Sequence, residues 1–301
     1  QGRLPLYIFP ISNSLNGLSD EATEGHLRAL DARGIGYTVD WRPSQFEASL
    51  AEGLRIARLQ KRIGQPAAVN ATACLQAFCD GSQETLHLDS DGNRFADNSC
   101  GSPLGCPFAL EHRIPVIRQQ VEAFVRAYQN AGVTVNFIFA DWEIDGPIEW
   151  NDSLQAAQKC VNCQKHVPSL EDFRQYQAAL RRIRSRLQRE AFALPVTQAF
   201  PQALVGNYGV NPHDGYRYWY DYFEHPATDA MPFLADQRAR YREWYPEFSE
   251  TGYTCAMPVV YTWYPTFEWY DFEKADYRWF YNMLKEASSV GQNTSASTPL
   301  I

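Results

Sequence analysis

The chain has 301 residues, 45% of them apolar, which is enough for a substantial core in one large domain. Its 27 basic and 35 acidic residues leave a net charge of −8, which argues against nucleic acid or an anionic membrane surface as a partner. No apolar run reaches the roughly eighteen residues that would span a bilayer, and aromatic residues, at 14%, are the compositional feature that stands out.

Strand and helix patterns alternate along the chain. Leu6-Tyr7-Ile8-Phe9-Pro10-Ile11 reads as a buried first strand. Ser19 can cap a helix that runs to about Arg33 and stops at Gly34. Tyr37-Thr38-Val39-Asp40-Trp41 reads as a second strand, and a helix with Leu50, Leu54, Ile56 and Ala57 facing inward follows it as far as Gly64. Ala67-Ala68-Val69-Asn70 is the third strand. Residues 74–111 break the rhythm, with Asp91-Gly92 placed as a hairpin turn between His87-Leu88 and Arg94-Phe95.

Helical spacing returns with Ile117, Val121, Phe124, Val125 and Tyr128, and Val133 to Trp142 is the most strand-like run in the chain. After a second insertion, 145–168, Ser169 is placed as the cap of a helix whose apolar stripe is Phe173, Tyr176, Leu180, Ile183 and Leu187, with arginines on a solvated outer face. Pro195 to Phe200 reads as strand five and Met257 to Trp263 as strand six, separated by an aromatic insertion over 208–248. A final helix over about 272–288 precedes Thr298-Pro299-Leu300-Ile301, which reads as the start of a seventh strand.

Such steps, with insertions after the third, fourth and fifth strands, predict an α/β fold: a (β/α) TIM-like barrel forming a single catalytic domain over 1–301. Either the barrel is short or the sequence is a fragment of a longer one. No Gly-x-Gly-x-x-Gly or P-loop follows a strand, which removes the nucleotide signature of a doubly wound sheet.

Six of the seven cysteines fall into close pairs, Cys74/Cys79, Cys100/Cys106 and Cys160/Cys163, and disulfides stapling the long loops are expected, with no connectivity assigned. The competing reading is a thiolate zinc site, for which Cys160-Val161-Asn162-Cys163 has knuckle spacing. Cys255 is expected to be a small buried hydrophobe. The disulfides, three glycosylation sequons and the start at Gln1 together predict a secreted or periplasmic protein.

The sharpest chemical feature is Phe137-Ile138-Phe139-Ala140-Asp141-Trp142-Glu143-Ile144-Asp145-Gly146. Residues two apart in a strand share a face, so Phe137, Phe139, Asp141 and Glu143 belong together. Two carboxylates beside a Trp at a barrel's carboxyl-terminal mouth push their pKa values apart, which supplies a general acid and an ionised partner. The plainer alternative pairs both acids with arginines at the rim or with a structural cation.

Phe139-Ala140-Asp141-Trp142-Glu143, with Asn207-Tyr208 farther on, resembles barrel-type glycoside hydrolases, distantly the hyaluronidase and chitinase-like group. The resemblance implies that Glu143 protonates the glycosidic oxygen and that Asp141 orients a substrate acetamido group acting as internal nucleophile. A substrate without that group needs a second carboxylate, ~5–5.5 Å away for retention or ~6.5–9.5 Å for inversion, with Asp145, Asp214 and Glu268 as candidates.

Asp40, Trp41, Asn70, Gln198, Tyr261 and Trp263, on predicted strands or at their ends, are the further candidates for holding sugar hydroxyls and stacking on pyranose faces, and Tyr208 opens an aromatic segment that reads either as a substrate platform or as a mini-core under a long loop. The chemistry requires no cofactor and no catalytic metal, and no His-Glu-x-x-His or Gly-x-Ser-x-Gly is present. The expected activity is hydrolysis of a poly- or oligosaccharide. The rivals are a non-catalytic carbohydrate-binding barrel and a zinc-stabilised structural or interaction protein.

Overall fold

A computed structural model of the protein describes residues 6–8, 15–75, 83–97, 105–109, 111–141, 154–208 and 248–257. The chain begins with β1 (Leu6–Ile8), α1 (Asp20–Asp31), β2 (Ile35–Asp40), α2 (Phe46–Arg62) and β3 (Ala68–Asn70). Then come α3 (Thr72–Leu75), the short strands β4 (His87–Leu88) and β5 (Arg94–Phe95), and α4 (Arg113–Asn130). β6 (Phe137–Asp141), α5 (Leu154–Lys159), α6 (Val161–His166), α7 (Phe173–Gln188), α8 (Leu194–Ala199) and β7 (Leu204–Tyr208) complete the series.

Local chemistry sets these boundaries. The Ser19 hydroxyl accepts the Ala22 amide at 3.2 Å and starts α1. Gly34 and Gly64, at φ of 78° and 75°, supply the left-handed turns that let the chain leave α1 and α2. Asp89, whose carboxylate accepts the Asp91 and Asn93 amides, builds the expected hairpin between antiparallel β4 and β5.

Five strands form one parallel sheet in the order β1-β2-β3-β6-β7, advancing through the chain without reversal. A doubly wound sheet reverses that order and carries helices on both faces. Here the helices pack on one side only among the described residues. Val39, Val69, Ile138, Ala140 and Val205 join a large core with Leu27, Ile56, Val121, Phe124, Tyr128, Leu180 and Phe192. The opposite face carries a smaller cluster of Ala68, Phe137, Phe139, Cys255 and Met257, with Tyr7 and Leu204 against it, and no helix contributes to it among the described residues. Phe137 stacks on Tyr7 at 4.4 Å and on Phe139 at 5.5 Å. One face under helices and an apolar opposite face are the arrangement that barrel-type winding gives a parallel sheet. The Thr254 and Cys255 amides donate to the Val205 carbonyl at 2.9 and 3.2 Å, so the chain returns beside β7 where strand six is expected to begin. The rest of that strand, the aromatic region 209–247, the final helix and the seventh strand lie outside the described residues.

Three expectations are corrected. Residues 195–200 are not a strand: Leu194–Ala199 is α8, which continues from α7 through one wide π turn at Arg189–Ala193. Pro195 sits in its first turn, where no amide is needed, and the Thr197 hydroxyl bonds back to the Ala193 carbonyl at 2.9 Å, so β-branching is absorbed within a helix. The fifth strand of the sheet is β7, immediately downstream. α7 starts at Phe173, with the Asp172 carbonyl taking the Gln175 and Tyr176 amides, so Ser169 is not its cap. Arg184 on α7 is buried rather than part of a solvated arginine face.

Trp41 is the largest fully buried side chain among the described residues. It stacks on Phe124 at 5.1 Å and meets the edge of Tyr128 at 5.3 Å, joining the end of β2 to α4. Trp41→Ala should cost about 3–5 kcal/mol, read as a lower urea midpoint. An unchanged midpoint would place this indole outside the core.

Candidate functional site

In a parallel sheet wound this way, polar groups gather where strands end. β2, β3, β6 and β7 end side by side. Asp40 is in register with Asn70, Asn70 with Phe139, and Asp141 with Tyr208, two positions farther along.

Asp40 and Asn70 are brought together as a polar pair. The Asn70 amide donates to Asp40 Oδ1 at 3.1 Å, and Arg42 holds Asp40 Oδ2 at 2.6 Å. Asn70 Oδ1 accepts the Thr72 amide at 3.0 Å and also its hydroxyl. Ser49 bridges the Asp40 carbonyl and the Arg42 amide at 2.7 and 3.0 Å. These bonds fix the ends of β2 and β3 before any ligand arrives. A cavity of about 80 Å³ beside Asp40, lined also by Asn16, Arg42, Ser49 and Glu52, falls well below the ~300–1,000 Å³ of ordinary ligand pockets.

Trp41 and Gln198 leave the predicted site. Trp41 turns into the helix-facing core, because successive residues of an extended chain point to opposite faces. Gln198 belongs to α8, not to a strand end. Asp141 closes β6 opposite Tyr208. Glu143, Asp145, Asp214, Tyr261, Trp263 and Glu268 lie outside the described residues.

A second constellation sits in the two insertions that follow β3 and β6. His87 on β4, Cys106 ahead of the 3-10 turn Pro107–Ala109, and Cys160 and Cys163 around the start of α6 converge with their ligand atoms within 4.8 Å of one another. All four side chains are buried. The Cys106 and Cys163 sulfurs lie 3.5 Å apart, and His87 Nδ1 lies 3.9 Å from Cys163 Sγ. Asn162 Nδ2 donates to Cys106 Sγ at 3.3 Å, the Leu88 amide donates to Cys160, and the His87 ring stacks on Phe95.

The three thiols perturb one another's acidity in opposite directions. Hydrogen bonds from Cys106 and Cys163 hold the Cys160 thiol well below the ordinary cysteine range. The contact with Cys160 pushes Cys106 up to about 11, and contacts with Cys106 and Cys160, then burial, push Cys163 up as well.

The expected disulfides do not form among the described cysteines: Cys74, Cys106, Cys160, Cys163 and Cys255 are all free thiols. Cys160 and Cys163 are neighbours in sequence, yet they meet a His and a third Cys from another insertion instead of closing on each other. Cys74 points its thiol at the Trp41 carbonyl, 3.7 Å away, and Cys255 is buried on the inner face of the sheet, as its apolar context predicts. Cys79 and Cys100 lie outside the described residues. Sequence reasoning missed His87 and Cys106 as partners of the knuckle; the usable signal is a Cys-x-x-Cys without a second pair, accompanied by a His in the neighbouring insertion.

No family model matches the chain, and no curated protein matches it in sequence. In fold it is similar to the catalytic domain of β-amylase from Paenibacillus polymyxa: the match covers 98% of this chain and 84% of that one, with a TM-score of 0.53 and 10% identity. At that identity the likeness concerns the fold, and it agrees with the barrel-type winding of the α/β sheet.

The Asp40–Asn70 pair yields a pH test. Asn70→Asp sets a second carboxylate beside the first and raises the folded-state pKa of one of them. Stability should drop by about 1–3 kcal/mol near neutrality, and the deficit should shrink as acid protonates that carboxyl. Melting temperatures of variant and parent across pH measure it, and a deficit independent of pH would show that the two groups do not meet.

Proposed function

We propose that the protein is a glycoside hydrolase that cleaves a poly- or oligosaccharide, with Glu143 as general acid and Asp141 as its partner. The observation that carries this reading is β6 itself: an apolar strand inside a singly wound parallel sheet, ending in Asp141 at the sheet's carboxyl edge, with Glu143 two residues on. Barrel enzymes place their chemistry at that edge. The fold neighbour, β-amylase, is a glycoside hydrolase, which supports the reaction class at the level of fold.

The reading requires Asp141 and Glu143 to leave the strand on the face that Phe137 and Phe139 occupy. One carboxyl then keeps a proton at neutrality to give to the leaving oxygen, while the other stays ionised. In a hyaluronidase- or chitinase-like reaction, Asp141 would polarise an acetamido group of the substrate. For a neutral sugar, Asp145, Asp214 or Glu268 would supply the second carboxylate. Asp40 and Asn70, with Tyr208, Tyr261 and Trp263, would form the sugar-contacting rim.

A reducing-sugar screen over amino-sugar, neutral and sulfated polysaccharides, with the parent protein beside Glu143→Gln, tests the proposal. The variant should lose about 10²–10⁴ in turnover, with little change in melting temperature. Undiminished turnover would remove Glu143 from the role of acid, and sugar binding without cleavage by the parent would make the protein a binding barrel.

A further inference from the structure

The cluster in the two insertions is independent of that reaction. We propose that His87, Cys106, Cys160 and Cys163 form a closed, structural Cys3His zinc site that ties the insertion after β3 to the insertion after β6.

Geometry is the first argument. A tetrahedral zinc with Zn–S bonds of ~2.3 Å and a Zn–N bond of ~2.0–2.1 Å sets its sulfurs ~3.8 Å apart and a sulfur–nitrogen pair ~3.6 Å apart. The observed separations are 3.5 Å for Cys106–Cys163 and 3.9 Å for Cys163–His87, and all four ligand atoms fit within 4.8 Å. A disulfide needs sulfurs at ~2.05 Å and would use two of the three thiols, leaving one Cys and the His without a purpose.

Donor chemistry is the second. Three sulfurs and one imidazole are a zinc donor set, and Cys160-x-x-Cys163 is the spacing at which a knuckle presents two sulfurs to one ion. Asn162 Nδ2 and the Leu88 amide both aim N–H groups at ligand sulfurs, the outer contacts that favour thiolate over thiol. Full burial of all four ligands leaves no position for a substrate or an activated water, so the site is structural rather than catalytic.

Placement is the third. β3 and β6 are adjacent and parallel, so the insertions leaving their carboxyl ends emerge side by side. Each contributes ligands: His87 and Cys106 from the first, Cys160 and Cys163 from the second.

The full chain, purified under reducing conditions without chelator, should carry one equivalent of zinc by mass spectrometry of the metal. Cobalt(II) exchanged into it should give thiolate-to-cobalt charge-transfer absorption and intense tetrahedral ligand-field bands. Cys106→Ser and Cys163→Ser should each lose most of the zinc and those bands, whereas Cys255→Ser should keep both. A folded parent chain that retains no zinc after incubation with excess metal and desalting would overturn the proposal. So would a native Cys160–Cys163 disulfide, or cysteine variants that keep their full zinc content. The measurements on the parent chain decide the matter even where a variant fails to fold.

Discussion

A parallel strand cannot meet its neighbour through a tight turn; the chain has to travel back along the sheet first, and among the described residues it does so through helices on one side. That constraint divides the sheet into a face under the helices and a face turned away from them. β6 shows both. Ile138 and Ala140 enter the large core beneath the helices, while Phe137 and Phe139 fill the inner cluster with Tyr7, Ala68 and Leu204. Burying a side chain of that size contributes roughly 1.5–3 kcal/mol, so a strand buried on both faces has no room for charge along its length. Charge is admitted only at the end, and Asp141 stands there.

The same rule separates two neighbours in sequence. Asp40 ends β2 in a network with Asn70 and Arg42, whereas Trp41, one residue later, turns under the sheet against Phe124 and Tyr128. An aromatic next to an acid at a strand end reads from sequence as a sugar platform, and the pleat makes it core. On the inner face, Gly206 of β7 leaves the space that Met257 and Cys255 occupy; a Cβ there would collide with both sulfurs.

Most of the fold was legible because local and long-range preferences agree. Ser19, Gly34 and Gly64 punctuate helices whose apolar stripes face the sheet, and Asp91-Gly92 turns the hairpin that the flanking residues pair. The misreading at 195–200 arose where they disagree. Val196 and Thr197 favour a strand, but the π turn at Arg189–Ala193 carries the helix forward, and burial of Pro195 and Val196 on the helix side settles the contest. The candidate site was legible only in part, for a different reason. Asp40 and Asn70 follow from strand register, which alternation reveals. His87 and Cys106 are brought to Cys160 and Cys163 by loop packing, and no local spacing encodes it.

That packing bears on the carboxyl edge. A long loop loses much conformational entropy on ordering, and the described parts of these insertions offset it by adding Phe108, Ala157, Val167 and the buried cysteines to the core. The segment that carries Glu143 and Asp145 leaves β6 at Asp141 and reaches described structure again at Leu154, where α5 leads directly to Cys160. One end of that segment is fixed by the sheet through the pairing of Asp141 with Tyr208; the other is fixed by sulfur and imidazole contacts to the neighbouring insertion. An acid that must stand within hydrogen-bond reach of a glycosidic oxygen needs both ends held, because a hinge free at either end gives up the orientation on which proton transfer depends. The proposed metal and the proposed acid are thus separate in chemistry but joined in sequence: the stretch that holds Glu143 starts from the sheet at Asp141 and ends in the helix that leads to Cys160.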